Sequence, residues 1–490
     1  MMRRWAHGHP RKSSPLVGPT LAADICLELQ DYSVLKHSAV EFFKLRGMRD
    51  PQAQAARLAT QFAKQNLALA AALDVRIASA YDGNEVSLLI HSGGCLGAIP
   101  LYSPTTARLD YGLVVQPRFP WSGIGPMLGE MGWRVSPTPL RLPLLRRSER
   151  RVPIWVLAVM ILVRLKGLLD SMQRRFEMTR ELCVAPRGSV DWNEYATKNL
   201  SIGKVFSVPC KFPDLRDDRL LKGAVRYSVE RQLRALETQR EHGSFVHRLI
   251  ESGQELLRRV QDVPVHIPSS ATLGSWLHRP MRTEHFIDGL QAIEWTVDER
   301  GLAGLSDLEG IPWAMPMDEF FEAWVETVFA SVVRRTSGQI KVGRKRETTY
   351  PIIWDPPYSG SQKSLVPDLI LEWETATVIV DAKYKRHWEE LQLKSWSRVE
   401  EDLRQAHRND LLQVLAYANL ALTPLVIACL VYPCSAATWR SLRERGRLIH
   451  KAQISVGSKS LHLWLTAVPM ANAVEEISAP LSAEIQLALR

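Results

Sequence analysis

Residues 366–385 read VPDLILEWETATVIVDAKYK, and the pairing of this stretch decides the carboxy-terminal fold. DLILEW and TVIVDAK are apolar on both faces, as central strands of a covered sheet are, and so few residues separate them that they form an antiparallel hairpin. Asp381 and Lys383 are two apart and point to one face of a strand. Asp368 joins that face only if an even number of residues, such as Glu374 and Thr375, lies in the loop; a slip of one residue sends it to the other side.

In that register two carboxylates and one ammonium converge at the end of an apolar hairpin. Asp368 and Asp381 offer hard oxygen ligands suited to Mg²⁺ or Mn²⁺, with the Ala382 carbonyl as a further ligand, and Mg²⁺ keeps waters and takes phosphate oxygens besides. Such an ion lowers the pKa of a bound water and neutralises charge at a phosphorus centre. Lys383 orients that water or stabilises the pentacovalent state as a point charge. An Asp-x-Lys also arises as solvated charge where a strand leaves a sheet; the Pro367-Asp368 pair in the partner strand argues for a site.

Downstream, RNDLLQVLAYANLAL sets Asp410, Gln413 and Tyr417 along one helical face beside an apolar stripe. Gln413 can hold a water or a base and Tyr417 a phosphate; the alternative is a core tyrosine bonded to a buried glutamine. Upstream, MPMDEFFEAWVETVFASVVRRT predicts a helix over about 317–334, with Asp318 and Glu319 in its first turn. Glu322 on it is a candidate metal-linked carboxylate, with Glu326 its competitor one turn on.

The chain has 490 residues, too many for one ordinary core, and at 46% hydrophobic and 23% charged it has a globular composition. Its +10 formal charge favours a polyanionic partner such as DNA or RNA. Six scattered cysteines show no zinc spacing and read as reduced core thiols of a cytoplasmic protein. The longest apolar run, VPIWVLAVMILV, is too short for a membrane span and reads as a buried helix.

The fold class expected is multidomain α/β. Residues 1–20 form a mobile tail, and 21–135 a small β-rich domain of short alternating runs and turns. Residues 136–310 hold a linker (136–152) and a helical middle region, with one helix from about 153 to 182. Residues 311–490 form an α/β domain around a mixed central sheet.

The order of Glu322, Pro367-Asp368, Asp381-Ala382-Lys383 and Gln413 with Tyr417 resembles the PD-(D/E)xK nuclease superfamily, in the branch with a Q-x-x-x-Y helix that includes RecB-type nucleases. DAKYK followed by RNDLLQVLAYAN is most similar to the McrC-like nuclease subunits of McrBC restriction systems, and LVVQPRFPWSGIGPML and PRGSVDWNEYATKNL extend the resemblance over most of 80–435. It implies a Mg-dependent endonuclease for double-stranded DNA in phage defence. Asp368 and Asp381 would then bind metal, Lys383 would be catalytic, and Gln413 and Tyr417 would support the site. VVQPR departs from the Ile-x-Pro-Lys wording of such proteins, which bears on partner contacts more than on chemistry.

The resemblance also implies an McrB-like AAA+ NTPase ring as partner. SGGCLGAIP and SGQIKVGRK both fail the phosphate-loop pattern, so no bound nucleotide is expected here and the motor is a second protein. Residues 20–310 would dock on that ring while 311–490 cut. Two rivals are a RecB-type repair exonuclease, against which the lack of four cluster-ligating cysteines counts, and an inactive DNA-binding or scaffold subunit.

Overall fold

The computed structural model describes residues 21–22, 25–132, 134–140, 145–146, 154–172, 175–216, 218–240, 243–278, 283–298, 301–302, 310–385, 401–456, 459–471 and 473–490. The expected tail (1–20) and much of the expected linker lie outside these. Two compact units divide the chain: one takes the described parts of Met1–Pro153, His242–Phe245 and Gly301–Arg490, the other those of Ile154–Glu241 and Val246–Arg300.

In the first unit, short alternating runs form strands as the amino-terminal sequence predicts: β1 (Ile25–Gln30), β2 (Val34–Ser38), β3 (Val75–Asp82), β4 (Glu85–Ser92), β5 (Cys95–Leu101) and β6 (Tyr111–Gln116). β2, β4 and β3 make one antiparallel sheet. The reading by alternation passed over helix α1 (Pro51–Gln65), which has local signals: Asp50 caps the Ala53 amide, Pro51 opens the helix, and Ala55, Ala59 and Phe62 are buried. Helix α2 (Trp121–Glu130) follows β6.

The second unit begins with α3 (Ile154–Ser171), and the long apolar run is a buried helix as expected, with Trp155, Val156, Val159, Ile161 and Leu165 all sealed. Among the described residues no helix is long and apolar enough to cross a membrane. The expected continuation of this helix to 182 is corrected by the structure. Arg175–Cys183 is a strand, β7, which with β8 (Ser189–Val190) and β9 (Val208–Arg216) forms an antiparallel sheet. Charged and apolar residues alternate over Arg175–Met178, and β9 supplies the ladder partner that a charge-rich helical reading overlooks. Val208, Cys210 and Phe212 form its small core. Helices α4 (Arg219–Glu237), α5 (Ser244–Val260) and α6 (Glu284–Val297) complete the charged helical stretch. Arg164 of α3 lies over the Trp295 ring of α6 at 4.9 Å.

The chain then returns to the first unit. Strand β10 (Trp313–Pro316) pairs antiparallel with β5, and the sheet runs β1, β6, β5, β10 and the two-residue strand Thr138–Pro139. A Cβ at Gly97 would fall 2.1 Å from the Trp313 carbonyl oxygen, so glycine permits this close pairing. Helix α7 (Met317–Thr336) follows, sealed on most sides through Phe320, Phe321, Trp324, Val325, Val328, Phe329 and Val332.

A mixed sheet of six strands completes the unit. β11 (Gln339–Val342), β12 (Leu369–Glu372), β13 (Ala376–Ala382), β14 (Leu425–Cys434), β15 (Ile449–Val456) and β16 (Lys459–Pro469) run in the spatial order β11-β12-β13-β14-β16-β15. β13, β14 and β16 are parallel and the rest antiparallel, so the centre of the sheet is covered and β13 is buried throughout. Helices α8 (Glu401–Ala418), α9 (Ala436–Glu444) and α10 (Val474–Ala488) complete the chain, with α8 packing on β13 and β14 and α7 on α10. None of the six cysteines is in a disulfide, and Cys210, Cys429 and Cys434 are buried.

Trp324 is fully buried, and its indole N–H donates to the Pro469 carbonyl at 3.2 Å. Trp324→Ala leaves a cavity and an orphaned carbonyl, and is expected to cost about 3–5 kcal/mol. The shift of the denaturation midpoint measures it.

Candidate active site on the carboxy-terminal sheet

The β12–β13 ladder pairs Leu369 with Val380, Ile370 with Ile379, Leu371 with Val378 and Glu372 with Thr377. The Trp373 amide donates to the Ala376 carbonyl at 2.9 Å, leaving Glu374 and Thr375 as the two loop residues. One step past the ladder, Asp368 therefore stands opposite Asp381, and opposite residues share a face. Asp368 Oδ2 accepts the Ala382 amide hydrogen at 2.7 Å. The Asp368 carbonyl accepts from the Gly343 amide at 2.8 Å, and the Pro367 carbonyl from the Thr348 hydroxyl at 2.6 Å. A Cβ at Gly343 would come 2.5 Å from the Pro367 oxygen, so this approach needs glycine.

Asp381 is 1% exposed, and Lys383 Nζ stands 2.8 Å from its Oδ2 as an ion pair. That oxygen is sealed from solvent, and the Lys383 ammonium is the charge set against it. Burial lifts the Asp381 pKa, and Lys383 offsets part of the rise. The half-buried Asp368 is pushed up to about 8 by burial first, then by the charges of Asp381 and Glu322. Burial acts to lower the Lys383 pKa, but Asp381, Asp368 and Asp410 outweigh it and the net shift is upward.

Glu322 and Glu326 sit one turn apart on α7 but have different partners. Burial pushes Glu322 up to about 7, opposed by Lys383, so it feels the hairpin's charges. Glu326 is buried in ion pairs with Arg134 and with Arg344, the latter at 2.7 Å. Gln413 Nε2 donates to the Tyr417 hydroxyl at 2.9 Å; Tyr417 is buried, while Gln413 is exposed rather than the buried partner of the alternative reading. Asp410 turns away from that pair: it takes Lys385 through Oδ1 and the Tyr432 hydroxyl through Oδ2 at 3.1 Å, with His407 Nδ1 3.1 Å from the same hydroxyl.

Among the described residues no three carboxylate, imidazole or thiol groups gather at metal-holding distance, so Glu322 does not stand with Asp368 and Asp381 as a third such ligand. The set at hand is two carboxylates opposite each other across the ladder, Asp381 with Lys383 against it. Two such oxygen donors leave most positions of a divalent cation to water and phosphate.

The sequence reading missed the groups that brace the motif. Lys385, just past the end of β13, pairs with Asp410, and its charge counters the rise at Asp381. Tyr384 points the other way and donates to Asp31 Oδ2 at 2.8 Å. The Arg118 guanidinium lies 4.6 Å from the Tyr384 ring, 5.0 Å from Phe119 and 5.2 Å from Tyr32, and its amide donates to Asp31 Oδ1. Arg118 is the cation of VVQPR, so the residue that departs from the family wording packs against the motif itself.

The model of the McrBC 5-methylcytosine restriction system component family matches residues 156–433, more than half of the sequence. The chain belongs to that family. Two solved structures are similar to it. One is a half-complex from a tetradecameric assembly of Thermococcus gammatolerans McrB AAA+ hexamers with bound McrC, at 14% identity and a TM-score of 0.41, covering 94% of this chain and 100% of that one. The other is the Thermococcus gammatolerans McrBC complex, at 13% identity and a TM-score of 0.25, covering 63% and 88%. No curated protein matches.

Asp31 is sealed and pairs with Arg118 at 3.6 Å. Arg118→Met strands that carboxylate and is expected to cost about 3–5 kcal/mol. Chemical denaturation measures the loss, and the double variant Asp31→Asn with Arg118→Met is expected to recover part of it.

Asp368 offers a pH test. Its folded pKa of about 8 lies above the ordinary carboxylate range, so the native state holds its proton through neutral pH while the unfolded chain gives it up. Ionising it in the fold is unfavourable, so stability falls as pH rises from about 4 toward 8. Metal-free Asp368→Asn is expected to be more stable than the parent at pH 7, the gap closing by about 1 kcal/mol per pH unit toward pH 4. Denaturation midpoints at several pH values measure it.

Proposed function

We propose that this chain is the DNA-cutting subunit of a McrBC-type restriction system, a Mg²⁺-dependent endonuclease of the PD-(D/E)xK type. The observation that carries the reading is the hairpin register, which sets Asp368 opposite Asp381 with Lys383 Nζ at 2.8 Å from the latter. Asp368 and Asp381, with the Ala382 carbonyl, would hold the ion. When bound, a divalent ion supplies a water of lowered pKa and charge neutralisation at the scissile phosphate.

The chain's own residues do the rest. Lys383 keeps its proton in this acidic setting and presents a fixed positive charge to a phosphate whose negative charge grows in the transition state. The bonds from Ala382 to Asp368 and from Gly343 to the Asp368 carbonyl keep that carboxylate on the shared face without reorganisation. Gln413, exposed and steadied by Tyr417, is placed to hold a water or a base. Glu322 adds negative potential beside the pair. The half-complex that resembles this chain has McrC bound to McrB AAA+ hexamers; by extension, a separate AAA+ ring drives this subunit, and base specificity resides in that partner.

Lys383→Ala is expected to abolish Mg²⁺-dependent nicking of plasmid DNA in the presence of the partner NTPase, while the complex still assembles on gel filtration. Cutting at the parental rate by that variant would remove the catalytic assignment.

A further inference from the structure

Just ahead of Asp368 the chain throws out a loop. The two-residue ladder of Tyr350–Pro351 with Ser364–Leu365 forms its neck, and the second arm runs on into Pro367 and Asp368. Just beyond its neck Ile353 is 89% exposed, with Tyr358 and Trp354 also in solvent. Single exposed apolar residues are ordinary, but this loop is held in shape. The Ile352 amide donates to the Lys363 carbonyl at 2.8 Å, Trp354 Nε1 to the Gln362 carbonyl at 3.0 Å, and the Trp354 and Tyr358 rings meet edge to face. Backbone and rings thus hold an aliphatic side chain out into water.

Cations flank it. The turn at Gly343–Lys345, whose first amide holds the Asp368 carbonyl, carries Arg344, Lys345 and Arg346, and the loop's second arm carries Lys363; all four are exposed. The acids in these two segments are Glu347 and Asp355, and Glu326 of α7 takes Arg344 at 2.7 Å and lies 3.9 Å from Lys345. Lysine is depleted at protein–protein contacts, and an exposed aliphatic side chain on a loop that carries lysine and arginine suits a nucleic-acid groove, with cations on phosphates and an aliphatic wedge between base steps.

We propose that residues 352–363 are a wedge for duplex DNA. Lys345, Arg346 and Lys363 grip the phosphates, and Ile353 enters the minor groove and opens a base step, so that the backbone bends toward Asp368 and Asp381. The assignment rests on the phosphodiester reading of that site and adds the surface that presents the substrate.

The test uses the full chain carrying Lys383→Ala and a short fluorescein-labelled duplex with 2-aminopurine at one step. Binding raises 2-aminopurine fluorescence as the step unstacks. Ile353→Ser abolishes that rise and weakens binding about tenfold. Lys345→Gln and Arg346→Asn, the latter compatible with the left-handed backbone at 346, each lower the slope of log affinity against log salt by about one. Unchanged fluorescence and affinity in Ile353→Ser overturn the proposal. The two readings fail separately. If Lys383→Ala cuts like the parent while Ile353→Ser loses binding, the surface stands and the chemistry falls. If Lys383→Ala is inactive while Ile353→Ser binds and cuts like the parent, the surface falls alone.

Discussion

The antiparallel register of one short hairpin decides which acidic side chains share a face of the carboxy-terminal sheet. Leu369 opposite Val380 puts Asp368 opposite Asp381, and a two-residue loop permits that pairing. Because side chains alternate along a strand, no small adjustment lies between the register that assembles the carboxylates and the one that parts them. The buried run on β13 and its parallel neighbour β14 hold the register, since a slip would turn every apolar residue of β12 to the wrong face.

Gathering carboxylates where water is scarce is unfavourable, and the surrounding structure offsets it piecemeal. Asp368 accepts a backbone amide hydrogen, Asp381 has Lys383, Asp410 has Lys385 and Tyr432, and Glu326 has two arginines. What is left over is an upward pressure on the proton affinities of Asp368 and Glu322. Such residual frustration is characteristic of sites built to bind something rather than to stabilise the fold.

The motif strand also ties distant parts of the chain together. Lys383 and Lys385 face the acids, while Tyr384 between them reaches Asp31 and stacks under Arg118. Beside this contact, β10 enters the amino-terminal sheet next to β5. Within this unit the amino-terminal strands brace the segment that carries the candidate chemistry.

Much of this was legible in the sequence by itself. Two runs apolar on both faces, an even loop and an Asp-x-Lys determined a buried hairpin with its charges on one side, and a period near 3.6 determined α7 and α8, because these are local consequences of backbone geometry. The wording of DAKYK and its helix likewise sufficed to identify the family. Tertiary structure alone decided that Glu326 is taken by Arg134 and Arg344 while Glu322 feels Lys383, that Asp410 leaves Gln413 for Lys385 and Tyr432, that Arg175–Cys183 is a strand rather than a helix, and that Arg118 sits beneath Tyr384. In each case the deciding partner is remote in the chain, and electrostatics and strand pairing act through space, where sequence spacing holds no distance information.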